Sequence, residues 1–213
     1  MIKKYLFLTF FTFYFLNIIS QEKKKGIFNI QKIGLLYNYA DENNFLFDDP
    51  DYSYTTKTIK AQVFYRLGRW KNFDVELIIQ PQIQTIKHQL LNLHFVLPSE
   101  ENYQIKRKEF TTPKTMNLYG LELGFVLKKE IINKLDIQIT AGLGVASIDT
   151  RTERLAKGFT FLENGSLGFS YKLNNTSIYL GSNIGHVSNL DFKSPNNGYT
   201  FFGIEIGYTY SIQ

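Results

Sequence analysis

Apolar and polar residues alternate with period two along most of this chain, the pattern of β-strands that show one greasy face. From Phe73 the apolar set is Phe73, Val75, Leu77, Ile79, Pro81 and Ile83, against Asp74, Glu76, Ile78, Gln80, Gln82 and Gln84. The same rhythm runs from Tyr119 to Leu127, from Leu135 to Val145, from Leu167 to Leu173 and from Phe202 to Ile212. It predicts eight strands, at roughly 28–40, 55–68, 72–85, 116–128, 134–147, 158–173, 176–189 and 199–212. Several exceed the usual strand length of about 5–6 residues in soluble sheets. They are long enough for a bilayer, which needs about 9–11. One face is apolar and aromatic, the other small and polar with scattered acids. That polarity fits a lipid-facing exterior around a polar, side-chain-filled lumen. A soluble lipocalin-like barrel would carry more polar outward residues.

The spacing of the connections agrees. Long loops (41–54, 86–115, 148–157 and 190–198) alternate with short turns at 69–71, 129–133 and 174–175. Long extracellular loops and short periplasmic turns are the habit of outer-membrane barrels. The expected fold is therefore an all-β, eight-stranded antiparallel outer-membrane barrel. The apolar run falters around Glu163-Asn164-Gly165, where a bulge is expected. Glu76, Glu122, Asp136 and Glu205 should pair in the lumen with Lys60, Arg66 and Lys172. The long segment 86–115 carries Lys87, Lys106, Arg107, Lys108 and Lys114, a set able to meet lipopolysaccharide phosphates or simply to face water.

The first twenty residues read as a secretory signal peptide. Lys3 and Lys4 precede an apolar stretch from Tyr5 to Ile19, and Ser20 offers a small residue for cleavage before Gln21. Residues 21–213 would then form a single barrel domain. Composition sharpens this picture in two respects. The 213 residues include no cysteine, which excludes a disulfide framework, a thiolate metal site and a cysteine nucleophile. Without the leader, 22 Lys and Arg stand against 19 Asp and Glu, a mild excess that gives no case for nucleic acid. The three histidines, His88, His94 and His186, lack metal-ligand spacing; His88 and His94 are expected to decorate a loop, and no cofactor is implied.

Candidate chemistry gathers on the seventh strand. Ile178, Leu180, Ser182, Ile184, His186 and Ser188 share the outward face, with Tyr179, Gly181, Asn183, Gly185 and Val187 on the other. Two polar groups that face hydrocarbon are unfavourable unless they pair or reach the interface. Residues at i and i+2 have Cα atoms about 6.5–7 Å apart, a gap that an imidazole and a hydroxyl can close. A histidine base beside a serine nucleophile is the core of acyl-transfer chemistry.

The wider stretch narrows the reading. Gly185-His186-Val187-Ser188-Asn189, followed by Lys193-Ser194-Pro195-Asn196-Asn197-Gly198, resembles the signature of the PagL-type lipid A 3-O-deacylases, also described as acyloxyacyl hydrolases. The family pattern is approximately H-x-S-N, a short loop, then P-N-x-G before the last strand. Glycine-patterned strands at 118–129, 135–147 and 159–173 arrive in the family's order. The resemblance implies an outer-membrane esterase that removes an ester-linked 3-hydroxyacyl chain from lipid A in the outer leaflet. It implies His186 as base, Ser188 as nucleophile and Asn189 as a residue that helps hold the oxyanion. The family's third triad member is an acid, and its position falls on Thr200, which has no carboxylate. Glu205 is the nearest acid on the strand, but its parity turns it into the lumen. Thr200, Asn196, Asn197 and Asp191 remain as groups able to orient His186. The competing reading is a non-catalytic small barrel with an adhesion, lipid-binding or structural role.

Overall fold

The structure is a computed structural model that describes residues 29–41 and 50–212; the expected signal peptide lies outside them. Eight antiparallel strands close into a barrel in chain order, β8 returning to pair with β1. They are β1 (Ile30–Asp41), β2 (Tyr52–Trp70), β3 (Phe73–Leu90), β4 (Lys114–Ile132), β5 (Leu135–Ile148), β6 (Gly158–Leu173), β7 (Thr176–Ser188) and β8 (Tyr199–Ser211). Each strand turns a large apolar side chain outward: Leu35, Ile59, Ile83, Leu123, Leu143, Leu167, Leu180 and Ile204 are all exposed. So continuous an apolar wall is unstable in water and stable in lipid.

Closure pairs every strand, so no sheet edge faces hydrocarbon. The short turns are made by Lys71-Asn72, Asn133-Lys134 and Asn174-Asn175, in which Lys71, Lys134 and Asn174 take left-handed φ of 53°, 67° and 50°. β2, β3 and β4 run further than the alternation predicts. The long loop shrinks accordingly to residues 91–113, which fold into a 3-10 turn (Leu93–Phe95) and helix α1 (Tyr103–Thr111).

Inside, opposite charges meet. Lys60 Nζ lies 2.9 Å from Glu122 Oε2, and both are buried. Gln80 and Gln82 donate to the same carboxylate at 2.9 and 3.3 Å. Gly142 makes room for it, since a Cβ there would overlap the Glu122 carboxylate. Lower down, Glu76 sits between Lys32 and Lys128, whose ammonium groups flank the Phe64 ring. Asp136 pairs with Lys172 at 2.9 Å. Arg66 departs from expectation: although it stands opposite Glu76 in the ladder, it is exposed near the turn end of β2, and Lys32 and Lys128 pair with Glu76 instead.

The lumen is not polar throughout. At the extracellular end Tyr52, Tyr54, Ile86, Leu90, Met116, Leu118, Ile148, Leu162, Val187 and Phe201 form one buried apolar cluster, and Phe110 of α1 packs into it. The loop cations are partly committed: Lys106 pairs with Glu100 at 3.1 Å, Arg107 Nε donates to the Val96 carbonyl at 3.0 Å, and Lys114 lies over Phe110. His88 does not decorate a loop. Because β3 continues to Leu90, His88 points inward and meets buried Glu153 at 3.1 Å.

Candidate active site on the outer wall

The ladder puts His186 between two neighbours, Glu163 of β6 and Thr200 of β8. Its face of β7 also carries exposed Ile178, Leu180 and Ile184, whereas Tyr179, Asn183 and Val187 are buried inside. His186 therefore sits on the outer wall, half-buried, near the extracellular rim. Its Nδ1 lies 2.8 Å from Thr200 Oγ1. Thr200 is held in turn, as its carbonyl accepts from Tyr54 Oη at 2.6 Å.

The opposite edge of the imidazole faces Gly198. A Cβ built there would stand 3.1 Å from His186 Cε1 and 3.2 Å from Nε2, and would overlap the Val187 carbonyl. Gly198 also has φ +65°, a conformation that L side chains rarely adopt. Gly198→Ala should therefore displace the imidazole from its place beside Thr200 and cost about 1–3 kcal/mol of stability for the strained φ, read as a lower urea midpoint of the folded barrel.

Ser188 lies two residues beyond His186 on the same face, one step past the last β7–β8 ladder pair, Val187 with Tyr199. It is nearly covered, and its carbonyl accepts from buried Thr160 Oγ1 at 2.7 Å. No hydrogen bond joins Ser188 to His186. Across the ladder from Ser188 stands Phe161, which packs edge-on against Phe159 and beside Phe192. The three rings form an apolar wall next to the hydroxyl.

The loop after Ser188 is braced from within. The Phe192 N–H donates to the Asn189 carbonyl at 3.1 Å, closing a turn in which Leu190 and Asp191 both take positive φ. Asn189 N–H donates to Asn196 Oδ1, and Asn189 Nδ2 donates to the carbonyls of Lys193 (2.6 Å) and Pro195 (3.2 Å). Asn196 Nδ2 donates to Asp191 Oδ1 at 3.0 Å. A neighbouring loop, 149–157, clasps this one. The Arg154 carbonyl accepts from the N–H groups of Asn197 and Gly198, and Ala156 N–H donates to Pro195. Arg154 is anchored over the Tyr52 ring, 3.6 Å from its centroid, and neighbouring Glu153 by His88.

Of the residues singled out in sequence, the structure brings together His186 and Thr200 and leaves Ser188 two residues further along the same face of β7. Asn189, Asn196 and Asp191 are joined to one another above the strand end. Glu205 is 1% exposed and faces the lumen, as its parity requires. Three features escaped the sequence: Glu163 opposite His186, Phe161 opposite Ser188, and the clasp from residues 149–157. The first left a trace, the interruption of the apolar run on β6. No bulge causes it, since β6 pairs without a register shift on both sides.

The model of the lipid A 3-O-deacylase (PagL) family matches residues 88–209, more than half of the chain. Among solved structures, that of the outer membrane enzyme PagL is 14% identical and aligns over 85% of this chain and 99% of its own, with a TM-score of 0.48. Neisserial surface protein A (NspA) is 13% identical over 85% of this chain and 96% of its own, with a TM-score of 0.49. A de novo designed transmembrane β-barrel is 11% identical over 90% and 100%, with a TM-score of 0.37. No curated protein matches the chain.

Proposed function

Because the chain belongs to the lipid A 3-O-deacylase (PagL) family, we propose that it hydrolyses an ester-linked 3-hydroxyacyl chain of lipid A in the outer leaflet of the outer membrane. Ser188 is the nucleophile and His186 its base. The observation that carries this reading is the outward imidazole near the rim, held through Nδ1 by Thr200, with Ser188 two residues on along the same face of β7. A site on the outer wall suits a substrate that is itself part of the membrane.

The steps follow from these positions. Lipid A lies against the wall, with an acyl chain beside Phe159, Phe161 and Phe192. His186 Nε2 takes the Ser188 proton as Oγ attacks the ester carbonyl. The oxyanion needs donors aimed at it. Leu190 and Asp191 offer backbone N–H groups that bond no other described residue, and Asn189 serves by holding their turn. Collapse expels the sugar alkoxide, which takes the proton from His186. Water, deprotonated by the same imidazole, then frees the fatty acid from Ser188.

The test is the mass of lipid A from bacteria that express the chain. Loss of one 3-hydroxyacyl chain is expected with the natural sequence and not with Ser188→Ala. An unchanged lipid A beside a folded barrel in the outer membrane favours the non-catalytic barrel, a reading to which the missing acid at Thr200 lends support.

A further inference from the structure

A serine esterase triad ends in an acid, and the position on β8 that touches His186 holds Thr200. On its other side, directly across the β6–β7 ladder, stands Glu163. Directly opposed residues have Cβ atoms about 4.5–5.5 Å apart, within reach of a carboxylate and an imidazole. Glu163 is exposed on the outer wall, beside Leu143 of β5. It makes no hydrogen bond or ion pair with another described residue. The other strand acids among the described residues face the lumen (Glu76, Glu122, Asp136, Glu205) or lie within two residues of a strand end (Asp41, Asp74, Glu130). An acid on a lipid-facing wall is costly to the fold and marks function by default.

Resting on the esterase reading above, we propose that Glu163 supplies the charge missing at Thr200. The two tasks of a triad acid are divided between two strands. Thr200 fixes the ring through Nδ1. Glu163 stabilises the imidazolium that forms when His186 holds the Ser188 proton. No proton passes to Glu163; it acts through its charge, which the apolar surroundings leave poorly screened. It is a positioning residue and does not touch substrate. Around His186, β6 presents Glu163 and β8 presents Thr200. The ionisable groups of the loop above are Asp191, bonded to Asn196, and Lys193.

The purified barrel in mixed micelles with lipid A provides the test. Glu163→Gln should lower kcat by about 10–100-fold with KM little changed. Glu163→Asp should keep part of the rate. Adding Thr200→Glu to Glu163→Gln should restore turnover by placing an acid at Nδ1. The Glu163→Gln barrel should resist urea at least as well as the natural one, since a charge leaves the lipid face. Unchanged kcat in Glu163→Gln, with Ser188→Ala inactive, would overturn the role of Glu163 and leave the esterase standing. Full turnover in Ser188→Ala would overturn the site itself, and this role with it.

Discussion

Lys60→Met should destabilise the barrel by about 3–5 kcal/mol, the cost of leaving a buried charge without its partner. Lys60 and Glu122 are both nearly inaccessible, and the ammonium is the carboxylate's only cation within 4 Å among the described residues. Gln80 and Gln82 hydrogen-bond to that carboxylate but cannot neutralise it. Methionine has the length of the lysine stem and no charge, so the loss is electrostatic and not one of volume. The double variant Lys60→Met/Glu122→Gln should recover most of the stability, because the amide oxygen still accepts from one of the two glutamines and no charge is left to strand. Urea titration in lipid vesicles reads the difference. The single tryptophan, Trp70, reports from the turn end of β2. Equal midpoints for the natural barrel and Lys60→Met would show that the lumen hydrates Glu122 freely.

That pair was legible in sequence because parity alone assigns Lys60 and Glu122 to the inner face once the apolar residues are put outside. The same rule put Asp136 and Lys172 on the inner face and set His186 on the outer wall. Parity does not say which cation reaches an acid: Arg66, opposite Glu76 in the ladder, ends exposed near the turn, and Lys32, on the least regular predicted strand, pairs with Glu76 instead. The rule also fails above the membrane. There the strands continue but both faces no longer contrast, so the apolar mouth around Tyr52, Leu90 and Leu118 carries no period-two signal. His88 was missed for that reason. Contacts between strands distant in sequence are a different matter. Nothing in the sequence sets Glu163 at the level of His186, because register depends on where each hairpin turns. The faltering apolar run at Glu163 was visible, and its cause is an acid in an unbroken ladder.

His186→Ala and Ser188→Ala should each lower lipid A deacylation by about 10⁴–10⁶-fold, and the double variant should be no slower than either. In the proposed mechanism nucleophile and base act as one unit: without the imidazole the hydroxyl keeps its proton, and without the hydroxyl the imidazole has nothing to activate. Two residues that helped substrate bind independently would instead multiply their effects. The stability cost separates this from simple damage to the fold. His186 makes one hydrogen bond in the structure, to Thr200, and its removal should cost only about 1 kcal/mol. Thr200→Val supplies the intermediate case. It keeps the base and the nucleophile but frees Nδ1, so the ring can take the wrong tautomer or turn from Ser188, and turnover should fall while KM stays near its natural value. Initial rates on lipid A for the three variants and the double, beside urea midpoints for each, are the measurements. Multiplicative losses for His186→Ala and Ser188→Ala would mean that the two side chains do not share one proton transfer, and the outward pair on β7 would lose its claim to the chemistry.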